Sequence, residues 1–190
     1  MITDRGAGEA LGPDDLPPSL FDGGHLHLSG YAFSGGSRRE AALGALRLAR
    51  GAGMSVSVDP SSVPLLKEMG PGRFLSWTRG ADLCLPNLEE GEILSGERDP
   101  DRVARRLLDH YPAVVLKLGA AGAMYAGAEG ERVRLPAERA RVADTTGAGD
   151  ALCAGFLASR LSGAPPATAL RRGVEAAARA VERLGARPEG

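Results

Sequence analysis

Asp144–Phe156 reads DTTGAGDALCAGF. Two acids bracket a threonine pair and a Gly-Ala-Gly turn, and an apolar run follows. That run reads as a helix over Ala148–Leu161, with Ala151, Leu152, Phe156 and Leu157 among small residues. The first N–H groups of a helix lack intrahelical partners, and together with the helix dipole they attract anions. Gly147 and Gly149 leave the backbone bare there and permit the angles of a tight anion-holding turn. Asp150 then falls in the first helical turn. A carboxylate beside a phosphate is poorly placed to hold it. It is well placed to take a proton from a hydroxyl aimed at the phosphorus, which is the base-plus-electrophile arrangement of phosphoryl transfer. The same residues also suit a plain helix cap with Asp144 or Thr146 as the capping side chain. The run is not a Walker loop, because no Gly-Lys-Ser/Thr follows, and it lacks the third glycine of a dinucleotide fingerprint.

Upstream, short strands alternate with helices. HLHLSG (His25–Gly30), MSVSVDP (Met54–Pro60), ADLCLPN (Ala81–Asn87) and AVVLKLG (Ala113–Gly119) read as strands. The last is a continuous apolar run, as expected of a sheet covered on both faces. GAMYAG and ERVRLP (Gly122–Gly127, Glu131–Pro136) read as a short antiparallel pair, and Met1–Asp4 as a strand end. Helices are expected over Arg38–Arg50, near Gly72–Thr78, from Asn87 through Leu94, after the Asp99 cap with Pro100 at its first position, and over Leu170–Leu184. For the Arg38–Arg50 helix, Ser37 and Glu40 have the spacing of a capping box, and Ala42, Leu43, Leu46, Leu48 and Ala49 supply the apolar stripe. This order predicts a single α/β layered domain over residues 1–190 with mostly parallel strands.

Composition narrows the function classes. Net charge is −1 and the arginines form pairs but no longer run, which argues against a nucleic-acid partner. No apolar run approaches the ~18 residues of a membrane span. The opening MITDRGAGEA lacks the apolar stretch of a signal peptide. Cys84 and Cys153 lie too far apart for a metal knuckle and give no sign of an oxidising compartment. A cytoplasmic protein is expected. His25 and His27 share a strand face without a carboxylate or thiol at ligand spacing, so they read as structural or solvent-facing. Cys153, one helical turn from Phe156, reads as core filler.

DTTGAGDALCAGF strongly resembles the C-terminal signature of the ribokinase-like, or PfkB, carbohydrate kinase family. LPNLEEGEIL resembles that family's Asn-x-x-Glu element through Asn87 and Glu90. VVLKLGAAGAMY resembles its strand and glycine turn near the nucleotide, and AAARAVERLGA its closing helix. The resemblance covers nearly the whole chain in order. It implies a three-layer α/β/α sandwich of ribokinase type and transfer of the ATP γ-phosphate to a hydroxyl of a sugar or sugar-like substrate. Asp150 would be the catalytic base, and Gly147, Ala148 and Gly149 the anion hole. Asp144 and Thr145 would sit beside the triphosphate. Lys117, Gly119, Gly122, Ala178 and Gly185 would lie near the nucleotide, and Asn87 and Glu90 would organise Mg2+ through water.

Family members usually carry early strands, a Gly-Gly sugar-gripping element and a lid before the point that Met1 matches. An N-terminally truncated fold is therefore expected, with an open sheet edge, either marginal stability or self-association into a homo-oligomer, and feeble turnover. The alternative is a catalytically weak or inactive nucleotide- or phosphate-binding fragment. Three residues keep open readings. Glu90 is either a magnesium organiser or an exposed helix acid. Lys117 faces phosphate or lies at the rim. Asp59, at a strand end where open α/β sheets place their ligands, contacts substrate or merely closes the turn before Pro60. VDPSS has serines where many relatives carry Asn or a basic residue, so the identity of the sugar stays open.

Overall fold

Alternating valines and a continuous apolar run become neighbouring strands of one sheet. The computed structural model describes residues 11–185. Its sheet has six strands in sequence order: β1 (His25–Ser29), β2 (Ser55–Asp59), β3 (Leu83–Cys84), β4 (Ala113–Lys117), β5 (Ala123–Gly127) and β6 (Arg132–Leu135). β1 to β4 run parallel, and β5 and β6 extend the sheet as an antiparallel meander. Both the mostly parallel core and the antiparallel pair follow the expectation from sequence.

Helices cover the two faces. On one side lie α1 (Gly36–Gly51), α2 (Val63–Met69), α3 (Pro71–Trp77), α4 (Leu88–Ser95) and α5 (Pro100–Leu107). They bury Ala45, Leu46, Leu66, Phe74, Val103 and Leu107 against Val56, Val58, Val114 and Leu116 of the strands. On the other side, α6 (Ala148–Leu161) and α7 (Pro166–Val181) bury Leu152, Phe156, Leu170 and Val174 against Leu85, Val115, Ala123 and Tyr125. The period of two along a strand explains the split, because odd and even residues face opposite layers. Ser57 and Asp59 thus alternate away from Val56 and Val58, onto the α6–α7 side.

Several local expectations need correction. Gly35, not Ser37, caps α1, and Ser37 lies inside the helix, so the Ser37–Glu40 capping box does not form. The chain leaves a 3-10 turn at Gly30–Phe33 and enters α1 through the extended Gly35. Leu48 is 44% exposed and faces away from the core. α2 was not foreseen; Ser62 caps it, accepting from Leu65 N. α7 begins at Pro166 rather than Leu170, since proline is suited to a first helical turn. It ends at Val181, leaving Leu184 exposed beyond it. β3 is only two residues long. Its pairing continues irregularly, with Leu85 N donating to Val58 O and Lys117 N to Pro86 O, which carries Asn87 alongside Lys117. The strand expected at Met1–Asp4 lies outside the described residues. Among the described residues no helix is long and apolar enough to cross a membrane.

Candidate active site

The carboxyl ends of β1, β2 and β4 present Ser29, Asp59 and Lys117 to one cleft, with Asn87 just beyond β3. Open parallel sheets bind ligands at this edge. The cleft is about 1060 Å³. The 147–150 turn forms one wall. Val174, Ala177, Ala178 and Val181 of α7 form an apolar slot beside it.

The opening stretch folds locally as its glycines require. Gly147 is the N-cap of α6 with φ 79°, a left-handed angle that strains any residue with a Cβ. Neither Asp144 nor Thr146 caps the helix. Asp144 Oδ1 accepts from Thr146 N (2.9 Å) and Thr146 Oγ1 (2.7 Å), and Oδ2 accepts from Gly185 N (3.0 Å). The Thr146 hydroxyl, then the backbone N–H groups of Thr146 and Gly185, hold the Asp144 carboxyl below its usual range. Asp144 thereby ties the glycine turn to the segment after α7, and Ala143 N reinforces this by donating to Val181 O. Gly147, Ala148, Gly149 and Asp150 all line the cleft, and Asp150 is exposed in the first turn of α6.

Asn87 and Glu90 form a reciprocal cap on α4. Asn87 N donates to Glu90 Oε2 (2.9 Å) and Glu90 N to Asn87 Oδ1 (2.8 Å). Glu90 is 2% exposed, which removes the reading of an exposed helix acid. Burial raises its pKa, and the Asn87 N–H and the Lys117 charge only partly offset that. A buried carboxylate short of positive charge, facing a cleft, suits a hard cation held through water. Among the described residues no group of three or more His, Cys, Asp or Glu forms a ready cage. Magnesium needs few protein ligands when phosphate and water complete its shell.

Lys117 is not a rim lysine. Its side chain is 12% exposed and its Nζ donates to Asp59 Oδ2 at 2.5 Å. Burial opposes its charge, but the neighbouring Cys153 and Asp59 overcome this and hold its pKa above the ordinary value. Burial pushes the Cys153 thiol itself up to about 12. Cys153 is therefore more than core filler, since its Sγ lies 3.3 Å from Asp59 Oδ2. Gly119 and Gly122 line the cleft next to Lys117, both at positive φ.

His25 and His27 are structural, as expected. His25 bonds Ser55 Oγ and Ser57 Oγ, and His27 Nδ1 bonds Ser57 Oγ at 2.7 Å. The sequence offered Thr146 only as a helix cap and Ser61 only as a departure, and gave no local signal for Ser29, Tyr31 or Val142; all five line the cleft. Ser61 is the one non-glycine residue at positive φ among the described residues (68°).

Known proteins resemble this chain in sequence and fold. The model of the pfkB family of carbohydrate kinases matches residues 1–189. The chain belongs to that family. It is 30% identical over 174 residues to a 2-dehydro-3-deoxygluconokinase of Bacillus subtilis, covering 88% of this chain and 53% of that protein. Among solved structures, adenosine kinase from Sinorhizobium meliloti superposes with a TM-score of 0.87 at 27% identity, over 94% of this chain and 55% of that one. Aminoimidazole riboside kinase from Salmonella enterica, solved with aminoimidazole riboside and an ATP analog, gives 0.84 at 31% identity, over 97% and 65%. The chain thus spans little more than half the length of most of these relatives. The sandwich expected from sequence is the fold these structures have.

Proposed function

We propose that this chain carries the phosphoryl-transfer machinery of an ATP-dependent carbohydrate kinase, acting on a hydroxyl of a sugar or sugar-like acceptor. One observation carries the reading. Asp150 stands exposed in the first turn of α6, directly after the glycine turn, and opens into the cleft that also holds Lys117. Asp150 takes the proton of the acceptor hydroxyl. The N–H groups of the Gly147–Gly149 turn neutralise charge developing on the transferred group, and they do so without reorganising because the turn is preset. Lys117 supplies positive charge at the foot of that turn. Val174, Ala177, Ala178 and Val181 offer a flat apolar slot for a base. Asn87 and Glu90 would hold Mg2+ through water, and the ion would supply bridging charge between phosphates.

Asp150→Asn tests this. ADP release is measured with MgATP and a panel of acceptors that includes sugars, sugar acids and nucleosides. Turnover should fall about 10²- to 10⁴-fold, the usual worth of a general base, while MgATP affinity stays within about threefold. Undiminished turnover by this variant would falsify the assignment.

A second reading, nucleotide binding with little or no turnover, is supported by the acceptor end of the cleft. Ser29, Tyr31 and Ser61 line the cleft beside β1, and among the described strands β1 pairs with β2 alone, so that side is open. MgATP binding without ADP release across the whole acceptor panel would favour it.

A further inference from the structure

We infer that Asp59 is a positioning residue that acts through Lys117 on the phosphate end of the cleft, rather than by gripping the acceptor. The inference rests on the phosphoryl-transfer reading above and adds a role to it.

Both oxygens of Asp59 have protein partners. Oδ2 accepts from Lys117 Nζ and lies against the Cys153 thiol, and Oδ1 accepts from Ser61 N at 2.8 Å. Asp59 is 5% exposed. Little of the carboxylate is therefore open to an acceptor hydroxyl, and its charged partner is the ammonium.

The carboxylate is held from the β1–β2 side by a rigid corner. Ser61 takes a left-handed angle (φ 68°) that strains a residue with a side chain. Its hydroxyl bonds Asp59 O (3.0 Å) and Ser29 Oγ (2.9 Å) and accepts from Gly30 N (3.2 Å). A Cβ at Gly30 would lie 2.0 Å from Pro60 O, so the ends of β1 and β2 pass too close for any other residue. Strain held in this way orients a functional group more tightly than an ordinary turn does. Here the oriented group is the Asp59 carboxylate.

On its other side, Asp59 fixes the ammonium. Lys117 reaches over from β4, and a Cβ built on Gly149 would lie 3.6 Å from its Nζ. The charge therefore rests against the last glycine of the anion turn. Asp59 holds the ammonium in place where phosphate oxygens arrive.

The test is a calorimetric binding cycle on the full chain, with MgATP and with AMP, which offers the same base without the outer phosphates. The proteins are wild type, Asp59→Asn, Lys117→Met and the double variant. Asp59→Asn should weaken MgATP about tenfold or more, the scale of a hydrogen bond to a charged group, and leave AMP within about twofold. In the Lys117→Met background, Asp59→Asn should change nothing further, because its effect runs through the missing ammonium. Unchanged or tightened MgATP binding by Asp59→Asn, equal losses for both ligands, or additive losses in the double variant would each overturn the inference. If Asp59→Asn alone does not fold, a change in MgATP affinity between Lys117→Met and the uncharged double variant still overturns the inference. Wild type binding neither ligand would instead overturn the phosphoryl-transfer reading, and this inference with it.

Discussion

Gly173→Ala sets two opposing effects against each other at the contact that holds the α7 slot against the helix of Asp150. Gly173 lies inside α7, where alanine is intrinsically better than glycine by about 1 kcal/mol. Across the interface, however, its added Cβ would stand 2.8 Å from Leu152 O and 3.3 Å from Leu152 Cγ. The reciprocal contact is as tight, since a Cβ at Gly155 would lie 2.7 Å from Arg172 O and 3.0 Å from Ala176 Cβ. The nearest atoms are backbone carbonyls and cannot swing aside. The helices must separate by roughly half an ångström, and overpacking of this kind costs about 1–3 kcal/mol. The interface wins, and the net effect is a loss near 1 kcal/mol. For a chain of this size that lowers Tm by roughly 2–4 °C. Separation also moves Ala177, Ala178 and Val181 from the turn that holds Asp150, so MgATP binding should weaken severalfold. Gly44→Ala is the control. Gly44 lies inside α1, and its added Cβ would meet nothing nearer than Arg47 Nη2 at 3.9 Å. There propensity acts alone, and Tm should rise. Thermal unfolding of both variants checks the pair, and a Tm increase for Gly173→Ala would refute the close-packing argument.

Other expectations follow from the same geometry. Gly122→Ala places a Cβ 2.0 Å from Leu135 O at φ 93°. Angular strain of about 1–3 kcal/mol then adds to a backbone overlap of similar size, and denaturant titration should show one of the largest losses in the chain. Glu90→Gln keeps the reciprocal cap with Asn87 and removes a buried charge. The Glu90 pKa is raised in the folded chain, so its ionisation weakens folding as pH climbs from the unfolded value of about 4.3 through the higher folded one. Melts from pH 4 to 8 should show that decline in wild type and not in the variant, and magnesium with ATP should stabilise wild type more. His25 and His27 are depressed, each chiefly by burial, with the His27 charge adding for His25. Their contribution is complete above the unfolded value of about 6.5 and is lost as pH falls through it towards the lower folded values. Replacing both with Asn should flatten Tm between pH 7 and 5, and an unchanged acid limb would count against the His–Ser57 network.

Much of this protein was legible in the chain because its signals are local. The helix from Ala148 to Leu161 and the Asp99 cap with Pro100 each depend on groups within four residues of one another, and so does the reciprocal Asn87–Glu90 cap, which had the same spacing but was not read as a cap. Backbone N–H groups at a helix start seek partners whatever the rest of the molecule does, so residue type and spacing suffice to read them. The Ser37–Glu40 box had the right spacing and failed, because entry from the Gly30–Phe33 turn let Gly35 start the helix two residues sooner. A local signal is a preference, and the path of the chain before it can override it.

Residue types and local spacing therefore determined the alternation of strands and helices, the glycine turn and the position of Asp150 after it, and the motifs in the sequence carried the resemblance to the pfkB family. Tertiary structure alone decided which charged groups meet. Asp59 and Lys117 are 58 residues apart, Asp59 and Cys153 94, and Asp144 and Gly185 41. Each pairing follows from strand register and from which face a residue's parity assigns it, and a one-residue slip would turn Asp59 towards the opposite layer. Those choices are made by the summed burial of both core layers, not by the residues that they bring together. The sequence alone thus left Asp59 and Lys117 with open readings, and the packed sheet joined them as one buried pair.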